Sequence, residues 1–192
     1  MKETNKKRVV VLDTFAIIFR AYHALPDFST SKGEPTGALF GVASMLMSII
    51  TDLKPDYIVA AYDLPGGSFR NTVESTYKAN RKEADEALVV QIARTRDLLK
   101  AFSITIFEKE GYEADDILGT ISEILKKEED IEVVIASGDM DTLQLVDGKR
   151  VKVFTIRKGI KDTVLYDEKG VIERFSFKPE LLPDYKGLRG DP

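Results

Sequence analysis

The 192-residue chain has no cysteine, no tryptophan and one histidine, His23. Without thiols there can be no disulfide and no thiolate metal site. One imidazole cannot build a histidine-rich metal centre, and His23, near the end of a helical stretch, reads as structural. No run of 18 or more apolar residues occurs, so neither a membrane span nor a membrane partner is expected. The basic start Met-Lys-Glu-Thr-Asn-Lys-Lys-Arg leads into a strand and not into the apolar stretch of a signal peptide, which makes a cytoplasmic location the expectation. Several chemistries lack their signatures. There is no GxxxxGK[ST] phosphate loop, no GxSxG elbow, no GxGxxG after a strand and no DxDxT, since Thr14-Phe15-Ala16 follows Asp13.

What the chain does have is acid in the right places. Four apolar runs read as strands, and each leads to carboxylates. Val9-Val10-Val11-Leu12 ends on Asp13, and Tyr57-Ile58-Val59-Ala60-Ala61-Tyr62 ends on Asp63. Ile104-Thr105-Ile106-Phe107 precedes Glu113-Ala114-Asp115-Asp116, and Val133-Val134-Ile135-Ala136 precedes Asp139-Met140-Asp141. In an open parallel sheet the carboxyl ends of the strands share one edge, where ligands bind. Seven carboxylates brought to one edge repel each other and raise each other's pKa. Hard divalent cations with oxygen preference, Mg²⁺ or Mn²⁺, relieve that repulsion. Taken singly, each acid could be a helix cap or a turn residue; a capping role alone does not explain why all four groups fall at strand ends.

The elements alternate. Helical stretches are expected at 14–23, at about 39–53 with Leu39, Val42, Leu46, Ile49 and Leu53 on one face, at 84–102, and from Glu113 with Ile117, Ile121, Ile124 and Leu125 on one face. A short helix is expected at 140–146, with further strands near 151–156 and 163–166. This pattern predicts an α/β fold with a mostly parallel central sheet and helices on both faces. Residues 27–35 form a loop, and 69–82 shows no period. The net charge of −4 argues at first against a nucleic-acid partner. Yet residues 69–82 hold Arg70, Lys78, Arg81 and Lys82 against Glu74 alone, and two divalent ions would add about +4 where the acids gather.

Longer motifs carry a resemblance. They are Val-Leu-Asp13, Tyr62-Asp63 with Ser68-Phe69-Arg70, Tyr77-Lys78-Ala79-Asn80-Arg81, Gly111-Tyr112-Glu113-Ala114-Asp115-Asp116, Ser137-Gly138-Asp139-Met140-Asp141 with Gln144-Leu145, and Asp184-Tyr185-Lys186-Gly187-Leu188-Arg189-Gly190-Asp191-Pro192. Over essentially its whole length the chain resembles the 5′ nuclease domain found at the N-terminus of bacterial DNA polymerases I, a branch of the flap endonuclease family. Ser31 to Thr36 is similar to the loop that approaches the duplex in that family. The resemblance implies a PIN-like core over 1–178, with a helical arch at about 69–82 above the active-site edge. It also implies the start of a helix-hairpin-helix region at 179–192.

By resemblance, Asp13, Asp63, Glu113, Asp115, Asp116, Asp139, Asp141 and Asp191 are direct or water-mediated ligands of two ions, Mg²⁺ or Mn²⁺. Lys78 and Arg81 would contact the scissile phosphate, and Tyr77 would stack on an unpaired base. Arg70, Lys82, Lys32 and Thr36 complete the DNA-contacting set. The implied activity is a structure-specific 5′-3′ exonuclease and flap endonuclease of replication and repair. Its substrate is DNA with 5′ flaps, nicks or 5′ ends, with a polymerase domain in cis. Two alternatives stay open: a PIN-type ribonuclease, and a DNA-structure-binding fragment with little catalysis. The chain departs from the family at Thr14, where Gly is usual, and at Met140, where Lys is usual. The family pattern also continues beyond Gly-Asp-Pro, so a truncated duplex-binding region is expected.

Overall fold

A computed structural model describes residues 6–79, 84–158 and 162–190. Six strands form one sheet in the order β3-β2-β1-β4-β5-β6. They are β1 (Lys7–Asp13), β2 (Tyr57–Ala61), β3 (Thr105–Phe107), β4 (Ile131–Ser137), β5 (Val151–Lys158) and β6 (Asp162–Tyr166). All neighbouring pairs are parallel except β5 with β6. The chain winds outward from β1 to β3, then crosses back to place β4 on the other side of β1. That reversal opens a crevice at the carboxyl ends of β1 and β4, the place where open sheets bind ligands.

The central strands are unbroken hydrophobic runs because both faces are covered. Side chains alternate across the sheet as the pleat requires. Val10, Leu12, Val134 and Ala136 face one way, onto α1 (Thr14–Ala24), α2 (Gly37–Ser48, prolonged by a π turn Ile49–Leu53) and α4 (Glu86–Ala101). Ile18, Met45, Leu46, Ile49 and Leu99 complete that core. Val9, Val11, Val133 and Ile135 face the other way, onto Leu118 of α5 (Ala114–Leu125), Leu143 of a 3₁₀ segment (Met140–Leu145) and Val171 of α6 (Glu168–Phe175). Leu182 of α7 (Leu182–Arg189) is buried in the same layer, so the C-terminal segment closes over the sheet here. Among the described residues no helix is long and apolar enough to cross a membrane.

Residues 69–82, which showed no period, begin with a five-residue helix, α3 (Phe69–Val73), and continue as turns to Ala79. The helix has no buried residue. It is held by its start, where Asn71 Oδ1 accepts from the Ser68 amide at 3.0 Å. The remainder of the expected arch, including Arg81 and Lys82, lies outside the described residues.

Thr14 sits in the first turn of α1, 3% exposed, and its hydroxyl has no hydrogen-bond partner among the described residues. It borders an apolar cavity of about 10 Å³ shared with Leu12, Ile17, Met45 and Leu99. A water there would find almost no polar company, so the hydroxyl stays dry. A buried hydroxyl left unpaired costs roughly 1–3 kcal/mol. Thr14→Val, of nearly the same shape, is therefore expected to raise the urea midpoint, by roughly 1 kcal/mol in stability. An unchanged or lowered midpoint would show that the hydroxyl is satisfied.

Candidate metal centre

Four of the predicted acids meet at the β1/β4 crevice. Asp13 ends β1, Asp63 follows β2, Asp115 stands in the first turn of α5, and Asp139 follows β4. Each strand-end acid spends one oxygen on the backbone. Asp13 Oδ1 accepts from the Ala16 amide at 3.2 Å, and Asp63 Oδ1 from the Ala114 amide at 2.8 Å. Asp139 Oδ1 accepts from the Asp141 amide at 2.9 Å. Capping therefore does not use up these carboxylates: one oxygen of each anchors the side chain to the backbone, and the second oxygens of Asp63 and Asp139 have no hydrogen bond among the described residues.

Ser137 links the two central strands. Its buried hydroxyl donates to Asp13 Oδ2 at 2.6 Å and accepts from the Asp139 amide at 2.9 Å. Next to it, Gly138 lies against α1: a Cβ there would stand 2.7 Å from the Ala16 carbonyl oxygen. Gly138→Ala must push β4 and α1 apart, at a cost of about 1–3 kcal/mol. A lowered urea midpoint is the expected reading, and full stability would mean that the turn has room to shift.

The electrostatics match a site short of positive charge. Burial pushes the Asp13 carboxyl up to about 7, with help from the charges of Asp115 and Asp139 and against the Ser137 hydrogen bond. Asp115 is exposed at the surface, yet its carboxyl is raised, first by partial desolvation at the base of the cleft and then by Asp139 and Asp63. No hydrogen bond or ion pair reaches the Asp115 side chain among the described residues. Asp116, Glu113 and Asp141 have counter-ions from the protein. Arg70 makes a two-pronged contact with Asp116, 2.7 Å on each side, which holds that carboxyl below its usual range. Asp116 Oδ2 also accepts from the Glu113 amide at 3.0 Å.

Burial alone would raise Glu113. Lys78 at 3.0 Å, the Ser68 hydroxyl at 3.0 Å and the Tyr77 hydroxyl at 3.1 Å outweigh it and hold the carboxyl low. Lys186 of α7 pairs with Asp141 at 2.8 Å. An open cleft of about 540 Å³ runs from Asp115, Asp116 and Asp141 along α5 to Lys127.

Of the predicted ligands, Asp13, Asp63, Asp115 and Asp139 thus lie close together with Glu113 at their border, while Asp116 and Asp141 turn to Arg70 and Lys186. Asp191 lies outside the described residues. Among the described residues no three carboxylates close around a single point. The donor chemistry nevertheless fits a hard divalent ion: oxygen only, mutually repelling, with Asp115 free to turn. Lys32 and Thr36 share no hydrogen bond or ion pair with these acids; Lys32 stands exposed on a separate loop, and Thr36 begins α2. Sequence reasoning did not assign Ser68, Ser137 or Lys186, although all three stand in the quoted motifs.

Residues 8–176 match the family described as 5′-3′ exonuclease, N-terminal resolvase-like domain. DNA polymerase I of Caldicellulosiruptor bescii is 40% identical over 186 residues, 96% of this chain and 22% of that protein. DNA polymerase I of Bacillus subtilis is 38% identical over 188 residues, 98% of this chain and 21% of that protein. The chain therefore spans about a fifth of the length of these curated relatives. Among solved structures, a bacteriophage T5 flap endonuclease in a complex with DNA and metal ions superposes with a TM-score of 0.70 at 20% identity, covering 96% of this chain and 67% of that one. At that identity the likeness is one of fold.

Proposed function

The chain belongs to the 5′-3′ exonuclease family through its N-terminal resolvase-like domain, and on that premise we propose that it hydrolyses phosphodiester bonds of DNA bearing 5′ flaps, nicks or 5′ ends. One observation carries the reading: Asp13, Asp63, Asp115 and Asp139 converge at the switch point of a parallel sheet, with Arg70 and Lys78 on the segment facing them. Acids gathered without counter-ions call for cations, and the facing bases suit a phosphate.

The residues divide the work. Asp13, Asp63, Asp115 and Asp139 hold divalent ions, Mg²⁺ or Mn²⁺, with Glu113, Asp116, Asp141 and Asp191 completing the set directly or through water. When bound there, two such ions supply an acidified water and neutralise charge on both the entering and the leaving oxygen. Arg70, Lys78 and Arg81 bind the scissile phosphate and stabilise charge growing on it. Arg70 and Lys78 already stand over the acids, ready to exchange carboxylate partners for phosphate oxygens. Lys82, Lys32 and Thr36 add contacts to the nucleic-acid backbone, which carry no sequence preference. Residues 179–192 begin a duplex-binding region, and the intact protein is a cytoplasmic DNA polymerase I with this nuclease at its start.

The test is cleavage of a 5′-labelled flap duplex by this chain with Mg²⁺, Mn²⁺ or EDTA. Release of the flap near its junction, metal-dependent and absent in EDTA, is expected. Preference for single-stranded RNA over flap DNA would favour a ribonuclease, and cleavage untouched by EDTA would remove the metal site from the reading.

A further inference from the structure

Beside the acids stand two aromatic rings that none of the assignments above uses. Phe69 and Tyr112 are 45% and 44% exposed, with ring centroids 5.7 Å apart and planes tilted by 53°. Side by side, the two rings make an exposed apolar patch next to the acids, and contiguous patches of this kind are where contact surfaces lie. Their mounting is firm. The Phe69 amide donates to the Gly111 carbonyl at 2.9 Å, and Ser68 and Gly111 pair as a parallel bridge. Gly111 takes φ +78°, a conformation that suits glycine and turns the chain so that Tyr112 lies against Phe69. The same backbone junction sets the Ser68 hydroxyl on Glu113, so the rings are fixed relative to the carboxylates.

Each ring carries a cation against it. The Arg70 guanidinium lies 4.8 Å from the Phe69 centroid, and Lys109 Nζ lies 5.6 Å from the Tyr112 centroid. Aromatic rings with a cation over a face of each suit a nucleotide, which offers a flat base to a ring and an anionic backbone to the cations. The ring that sequence reasoning put forward for stacking, Tyr77, is differently placed. Its hydroxyl is committed to Glu113, and Lys78 lies 5.1 Å from its centroid.

We propose that Phe69 and Tyr112 form a stacking platform for one unpaired base of the cleaved strand, next to the scissile phosphate, with Arg70 and Lys109 receiving the flanking phosphates. The proposal rests on the nuclease reading and adds a base subsite to it. Stacking on such a platform is tolerant of base identity, because every base has a π face. It holds the unpaired strand in register with the acids, so that one phosphodiester is presented and its neighbours are not.

The experiment uses flap duplexes carrying 2-aminopurine at single positions around the junction, bound in Ca²⁺, together with Mg²⁺ kinetics on the same duplexes with a base or an abasic site there. At one position the native chain and Tyr112→Phe quench the fluorescence, and Tyr112→Ala and Phe69→Leu do not. On the duplex with a base, Tyr112→Ala raises KM about tenfold, the size of one lost stack. On the abasic duplex it matches the native chain. Equal loss on both duplexes would overturn the platform, since the effect would then come from disturbed structure; so would the absence of any quenched position. Failure of the native chain to cleave the unmodified flap in Mg²⁺ would sink the nuclease reading instead, and the two results are read from separate lanes.

Discussion

Replacing Asp115 by Asn is expected to leave the protein folded and to lower its single-turnover cleavage of a flap duplex by more than about 100-fold. That bound is the upper end of what losing a group merely supporting the ligands costs, and a ligand is worth more. The choice of residue follows from its surroundings. Asp115 has no hydrogen bond or ion pair to its side chain among the described residues, and its carboxyl is raised by desolvation and by the charges of Asp139 and Asp63. Taking one negative charge from such a group removes repulsion and breaks no contact. Asp116→Ala is a less clean experiment, because it also strands the Arg70 guanidinium and frees the Glu113 amide that Asp116 satisfies at the start of α5. The measurement pairs a cleavage rate in Mg²⁺ with a urea midpoint. Unchanged cleavage by a folded Asp115→Asn would dismiss the ligand assignment.

In EDTA the stability of the native chain is expected to fall as pH rises from about 4 to about 7, by up to about 4 kcal/mol from Asp13 alone. Asp13 is 3% exposed, and its carboxyl is raised from 3.8 to about 7 in the folded chain. Between those values the folded protein keeps the proton that the unfolded chain has released. The unfolded state binds fewer protons, so raising the pH favours unfolding. Below the window both states hold the proton, and above it neither does, so this contribution is flat on each side. Asp13→Asn cannot titrate and should lose that part of the slope. Chemical denaturation at a series of pH values decides it, and parallel slopes for the two proteins would assign the pH dependence to other groups.

Much of this arrangement was legible because two signals agreed. The apolar runs ending at Asp13, Asp63 and Ser137 are strands β1, β2 and β4, since only strands buried on both faces tolerate such unbroken apolarity. Parallel winding then forces their acids to one edge. Capping and ligation looked like alternatives in one dimension, yet a carboxylate has two oxygens, and Asp13, Asp63 and Asp139 each cap the backbone with one of them.

What stayed hidden has physical reasons too. The helix Phe69–Val73 buries none of its residues, so it leaves no periodic trace in the sequence. The pairing of Arg70 with Asp116 joins positions 46 apart, and that of Lys186 with Asp141 depends on how α7 lies across the 3₁₀ segment. Charge type reveals that such residues find partners; only the tertiary fold says which. The antiparallel setting of β6 on β5 was not drawn from the sequence, although the stretch between the two expected strands is too short for a parallel crossover.

The sheet order has a consequence for motion. β1 and β4 are neighbours, yet the hydroxyl–carboxylate link at their ends joins residues 124 positions apart. A loop of that length must close before the pair can form, so the centre of the sheet is expected to order late and to open only with the chain as a whole. Backbone amides of Val10 to Leu12 and of Val133 to Ile135 therefore belong to the most slowly exchanging unit, while β3 and β6 at the margins open more cheaply. Asp13 and Asp139 are mounted on that slow unit. Arg70 and Lys78 stand on a short helix that buries none of its own residues and on the turns after it. The molecule thus mounts its two signs of charge differently: Asp13 and Asp139 at the ends of the central strands, Arg70 and Lys78 on a surface segment tied to the site by ion pairs with Asp116 and Glu113.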